Sequence, residues 1–268
     1  MPAVRLVDSH AHLQSERFAE DIELVVGAAR LAGVERILVP GWDVASTQAA
    51  IALCERFPWL DAAAGVHPHD AAAVDEESWI RIVDLSVDPR VVAIGETGLD
   101  ADRMFSPWEA QLANLRRNLA LSAATGKPAI LHCRSAKGRR DAQDALLAEI
   151  RRADVPPPLI HSYSGPVDYG EALIGLGATI SFSGLVFRPG EDASADVARR
   201  VPDDRLLVET DSPFLSPPGA PRKRNEPEWV RVTVDWLARV RDVDRMALGA
   251  SLIAAYDLIT GRAERRSA

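Results

Sequence analysis

The sequence predicts an α/β protein of the (β/α)8 class, a TIM-like barrel of eight parallel strands, on three observations. Eight short apolar runs recur along the 268 residues, each followed by a segment with three-to-four-residue apolar spacing. Runs that are apolar on both faces and joined through helices belong in a parallel sheet covered on its outside. Eight such units fill about 250 residues, the usual size of a closed barrel. An open doubly wound sheet needs a glycine-rich loop after its first strand, and here the chain reads DSHAHL. One barrel domain is therefore expected over residues 1–268.

The elements follow in order. VRLVD at 4–8 leads to a helix near 20–32, and ERILVP at 35–40 to one near 44–55. LDAAAGV at 60–66 is rich in alanine, a poor strand former, but its place before the helix expected near 79–85 makes it the third strand. RVVAIGE at 90–96 precedes a helix over 107–124, with Pro107 suited to a first helical turn. PAILHC at 128–133, PLIHSY at 158–163, ATISFSG at 178–184 and RLLVET at 205–210 supply the remaining strands. Their helices are expected near 139–153, 167–176, 194–200 and 228–240, and a last one near 245–258 closes the chain. The run SPFLSPPGAPRKRNEPE carries five prolines and is expected to be a long irregular excursion after the eighth strand.

Composition narrows the class. Apolar residues make up 47% of the chain, which argues against disorder. No run of 18 apolar residues occurs, and Arg5, Asp8, Glu16, Arg17 and Glu20 interrupt the first 20, so no membrane span or signal peptide is read and a cytoplasmic protein is expected. Two cysteines, Cys54 and Cys133, make no disulfide framework. A net charge of -8 disfavours sequence-blind adhesion of the whole surface to nucleic acid and leaves room for a local basic groove.

The polar residues fall at one end of the predicted strands. Asp8, His10 and His12 end the first strand, Glu96 the fourth and His132 the fifth; His161 lies near the end of the sixth, and Glu209 and Asp211 end the eighth. In a barrel these carboxyl ends form the functional rim. His10 and His12 are two residues apart, so in extended backbone they share a side. All six histidines lie in or just beyond strand ends, and none is expected on a helix, a segregation that points to a metal site. Neutral imidazoles beside carboxylates suit zinc, manganese or iron, and tolerate magnesium. The number of ligands suggests more than one ion, with Glu96 placed to bridge. Asp211 is read as a ligand, a general base or both, and Glu209 as an orienting carboxylate.

DSHAHL, GVHPHD, GETGLD, LHCR, HSYSG, SFSG, ETDSP and KRNEP occur in the order and spacing of the TatD family of metal-dependent deoxyribonucleases, which the chain resembles from residue 8 to 227. The resemblance implies a TIM-like barrel that hydrolyses phosphodiester bonds in DNA, including by 3′ to 5′ exonuclease action, with two divalent ions (Mg2+, Mn2+ or Zn2+). It implies that His10, His12, Glu96 and Asp211 hold one ion and Glu96, His132 and His161 the other, with His67 beside the substrate and Glu209 beside the metals. The chain departs from the family in reading GLDADRMF, without the aromatic residue after GLD, and HCRSAKG, where the family usually continues EA after HxR.

Catalysis is expected to rest on Glu96, Asp211 and Glu209 acting with a metal-activated water. Phosphate recognition is expected from Arg134, with Lys137, Arg139, Arg140, Arg103, Arg188 and the run Arg222, Lys223, Arg224 in loops on the same rim. Tyr163, Phe214, Phe105 and Phe187 are candidates to stack on an unpaired base. The expected partner is DNA, single-stranded or at frayed ends, with no membrane and no obligate protein partner. Two other readings are an amidohydrolase or phosphoesterase acting on a small molecule, and an inactive binding scaffold.

Overall fold

A computed structural model describes residues 4–262. The eight strands are β1 (Leu6–Asp8), β2 (Val34–Pro40), β3 (Leu60–Ala64), β4 (Val91–Asp100), β5 (Ala129–Arg134), β6 (Leu159–Ile160), β7 (Thr179–Phe182) and β8 (Leu206–Val208). They form one sheet in chain order, with parallel registers such as Leu6↔Val34, Ala64↔Ile94, Gly98↔His132, Leu131↔Ile160 and Phe182↔Val208. The Ser9 amide donates to the Val208 carbonyl at 3.0 Å, which returns the last strand to the first. The fold is the expected (β/α)8 TIM barrel.

The helices are α1 (Ile22–Leu31), α2 (Val44–Arg56), α3 (Glu76–Ser86), α4 (Trp108–Thr125), α5 (Asp141–Arg152), α6 (Val167–Gly175), α7 (Ala193–Ala198), α8 (Val230–Arg241) and α9 (Arg245–Ile259). Several begin where a side chain satisfies the first amides. Asp43 and Ser46 form a reciprocal capping box on α2, Asp75 accepts from the Ser78 amide at α3, and Asp244 accepts from the amides of Met246 and Ala247 at α9. The Asp75 cap starts α3 three residues before the apolar pattern does. Pro107 stands outside α4, in extended backbone, rather than in its first turn.

Packing divides the described chain into two compact units, one of residues 4–39, 162–171 and 179–262 and the other of 40–161 and 172–178. In the unit holding β1, β7 and β8, α9 lies close on the first strand: a side chain at Gly249 would meet the Arg5 carbonyl at 2.3 Å. There the buried Arg36 guanidinium donates to Asp257 of α9 at 2.9 and 3.3 Å. In the unit holding β3, β4 and β5, Val66, Ile82, Ile94 and Leu121 make a buried cluster flanked by Trp79 and Val83.

Most strand bounds differ from the sequence reading by one to three residues, and the differences at β4 and β6 bear on function. β4 runs four residues past Glu96, to Asp100, and β6 ends at Ile160, with Ser162 turning the chain at φ 45°. The expected excursion, 212–228, has no α-helix or strand, and its last two residues enter a short 3-10 helix, Pro227–Trp229. Among the described residues no helix is long and apolar enough to cross a membrane.

Candidate metal centre

The first group of donors grows out of β1 and β8. His10 and His12 follow β1 with their Nε2 atoms 3.2 Å apart, and Asp211 Oδ1 lies 3.9 Å from the first and 3.5 Å from the second. Two donors bound tetrahedrally at about 2.1 Å stand about 3.4 Å apart, so this spacing fits a shared ion. The backbone that aims them is fixed by Asp8. Its buried carboxylate accepts from the Thr210 amide at 2.9 Å, the Thr210 hydroxyl at 2.6 Å and the His10 amide at 3.3 Å. Burial pushes the Asp8 carboxyl up to about 8, and the Thr210 bonds pull against that. Asn225 holds the other side of Thr210 by donating to its carbonyl at 2.9 Å. Asp211 takes a left-handed φ of 53°, and Glu209 is buried, with the Ser9 hydroxyl 3.5 Å away.

The second group is built on β4, β5 and the residue after β6. Glu96 Oε1 lies 3.2 Å from His132 Nδ1, 3.4 Å from His161 Nε2 and 3.4 Å from His67 Nε2. The spacings to His132 and His161 are again those of ligands on one ion. The alternation along β4 sets Glu96, Gly98 and Asp100 on one side of the strand. A side chain at Gly98 would meet the His132 carbonyl at 2.0 Å, so glycine is what lets β5 bring His132 beside β4.

Asp100, for which the sequence signals no role, orients this group. Its Oδ2 accepts from His69 Nε2 at 2.8 Å and from His132 Nε2 at 3.3 Å, while Oδ1 accepts from the amides of Asp102 and Arg103. Burial works against the charged carboxylate, but these bonds prevail and hold its pKa below the usual range. With Nε2–H given to Asp100, His132 keeps its Nδ1 lone pair toward Glu96. Burial likewise opposes a charged His132, yet the neighbouring carboxylates of Asp100 and Glu96 raise its pKa. An imidazole drawn toward protonation by two carboxylates marks an anionic cradle, and the donor set fits a divalent cation.

His67, His69 and His132 also place nitrogens within 4.8 Å of one another. Hydrogen bonding argues against a third ion among them. His67 Nδ1 accepts from the His69 amide at 3.1 Å, which puts the proton on Nε2, and His69 Nε2 donates to Asp100. His67 is therefore a neutral donor beside Glu96, and burial lowers its pKa to about 4. His69 lies in a short 3-10 helix, Pro68–Asp70, contrary to the expectation that no histidine is helical.

The expected substrate residues divide. Phe214 is exposed and sits edge-on to His12, with ring centroids 6.1 Å apart. Phe105 is exposed and edge-on to His69 at 4.7 Å, so an aromatic ring reaches this group although none follows GLD directly. Tyr163 is buried between Tyr169 and Phe182 and donates its hydroxyl to the Pro166 carbonyl; it is core, not a stacking surface. Arg134 is half-exposed and paired with Asp102 at 2.8 Å. Arg139 pairs with Asp141 and Arg140 with Asp144, while Arg224 is locked between Asp21 and Glu226. Arg224 thus braces the fold and leaves the expected basic rim.

The family model of the TatD related DNases matches residues 7–257. A metal-dependent hydrolase of Bacillus subtilis (strain 168), YabD, is 33% identical over 240 residues, covering 89% of this chain and 92% of the relative. The 3'-5' ssDNA/RNA exonuclease TatD of Edwardsiella piscicida is 35% identical over 248 residues, covering 89% and 93%. The crystal structure of the TatD homologue YJJV from Escherichia coli K12 superposes with a TM-score of 0.88 at 28% identity, covering 96% of this chain and 98% of that one. The chain belongs to the TatD-related DNase family and is a metal-dependent hydrolase.

Proposed function

We propose that this hydrolase cleaves phosphodiester bonds of single-stranded DNA from the 3′ end, using two divalent ions. His10, His12 and Asp211 contribute to holding one ion, and Glu96, His132 and His161 the other. The observation that carries the reading is the spacing of donor atoms, 3.2 to 3.9 Å within the first group and 3.2 to 3.4 Å within the second. The exonuclease named among the relatives supports the choice of substrate. When bound, such ions lower the pKa of water and neutralise charge on a transferring phosphoryl group.

The chain's own residues complete the chemistry. Asp211, the most exposed carboxylate of its group, takes the proton of the attacking water on a carboxylate oxygen. Glu209, buried with the Ser9 hydroxyl 3.5 Å away, orients the attacking water. His67, neutral at pH 7, offers its Nε2 proton to a phosphate oxygen without adding a cation that would compete with the metals. Phe214, exposed beside His12, stacks on the terminal base.

The test incubates metal-depleted protein with single-stranded DNA, duplex DNA and a generic phosphodiester, adding back magnesium, manganese or zinc. Stepwise shortening of the single strand from its 3′ end is expected. Glu96→Gln should reduce hydrolysis by more than about 100-fold, beyond the 10–100-fold typical of residues that only support a ligand. Full turnover by this variant with unchanged circular dichroism would refute its role. Activity confined to small amides or esters would refute the nuclease reading.

A further inference from the structure

The loop after β7 and the excursion after β8 enclose a cavity of about 610 Å³, lined by Phe187, Arg188, Ser216, Pro217, Pro218 and Arg222 among others. This is within the range of about 300–1,000 Å³ usual for ligand sites. No acidic residue lines it, which in a chain of net charge -8 sets it apart. Among the described residues neither Arg188 nor Arg222 makes an ion pair, whereas Arg134, Arg139, Arg140 and Arg224 all do. Two guanidiniums beside an aromatic ring offer what a nucleotide needs: charge for phosphate and a face for a base.

The cavity is built by the backbone rather than left by a loose loop. A side chain at Gly184 would meet the Leu215 carbonyl at 1.9 Å, so glycine allows the two loops to lie against each other. Ser183 caps the turn that carries Phe187 by accepting from the Leu185 amide, and the Arg188 amide closes it on the Leu185 carbonyl. On the other side the Ser216 hydroxyl donates to the Pro221 carbonyl at 2.8 Å and the Ala220 amide to the Pro217 carbonyl at 3.1 Å. Three prolines fix this wall, so little ordering is left to do on binding. The cavity also adjoins the reaction centre along the chain. Ser216 lies five residues after Asp211, within about 18 Å of it, and Phe214, which faces His12, lies between them.

We infer that this cavity is a subsite for one nucleotide of a single-stranded polynucleotide, with Arg188 and Arg222 on its phosphates and Phe187 on its base. The inference rests on the nuclease reading above and extends it by a strand-holding site a few nucleotides from the scissile bond. Such a site makes the enzyme favour substrates long enough to reach it.

The test compares KM for (dT)3 and (dT)20 in the manganese-loaded enzyme and in Arg188→Ala/Arg222→Ala and Phe187→Ala, between 50 and 200 mM salt. Wild type should bind the 20-mer more tightly than the trimer. The double variant should raise KM for the 20-mer about tenfold and flatten the salt slope of log KM by about 1.4, or about 0.7 for each phosphate no longer neutralised. Phe187→Ala should raise it about fivefold or more without changing the slope. Thermal unfolding checks that the variants are folded. Variants that match wild type in both KM and salt slope overturn the subsite and leave the nuclease reading standing. A wild-type enzyme that cuts neither oligonucleotide overturns both.

Discussion

The residue that best separates a ligand from its support is Asp100. One carboxylate oxygen accepts from two histidines and the other from two backbone amides, so its charge is fully used in orienting neighbours. In Asp100→Asn the side-chain oxygen stays on the amides and the NH2 group turns toward His69 and His132. The donor sense at His132 Nε2 reverses, its proton moves to Nδ1, and the lone pair that faced Glu96 is lost. Metal affinity should fall about 10–100-fold in calorimetric titration with the unfolding midpoint nearly kept. Wild-type affinity would show that Asp100 does not set the tautomer. Glu96, His132 and His161 were legible in the sequence because each ends a recognisable apolar run. Asp100 was not, because the apolar run stops before Glu96 and the strand is read no further, although Gly98 admits the close approach of His132 that carries β4 on to Asp100. Tyr163 misled for the opposite reason: serines and a glycine around it suggest a surface loop, while its ring packs between Tyr169 and Phe182.

At the scale of elements, strands and helices were legible because hydrophobic period and caps agree, and strand ends were less so where side-chain bonds replace the ladder. The pairing between elements was not legible. Arg224 belongs to Asp21, 203 positions earlier, and Arg36 of β2 to Asp257 of α9, separations at which charge pattern carries no signal. The Arg36–Asp257 pair fastens α9 to β2 with the guanidinium almost fully buried. Removing one partner leaves a charge without compensation, so Asp257→Ala should cost about 2–4 kcal/mol in urea unfolding. The double change Arg36→Met/Asp257→Leu should recover much of that loss, because a well-packed apolar pair avoids the desolvation cost of two ions. A single variant within about 0.5 kcal/mol of wild type would place this pair with ordinary surface contacts.

For the whole molecule, the two donor groups couple folding to metal. Each brings side chains from separate strands into one space, so a cation held there binds the folded chain and not the unfolded one. Anything that binds the native state alone stabilises it by mass action, by about 2.7 kcal/mol at one hundred times Kd for each site. For a chain of this size one occupied site should raise the unfolding midpoint by about 5–10 °C, and a second should add to it. Calorimetry of the metal-free protein with manganese should show two ions per chain, falling to one in His161→Ala and to one in His12→Ala, with the thermal gain reduced in each. If either variant still binds two ions, the residue changed is not a ligand. If wild type binds one ion and both variants bind none, the two groups serve a single ion. Only the first pattern gives the enzyme separate positive centres for the attacking water and for the strand it cuts.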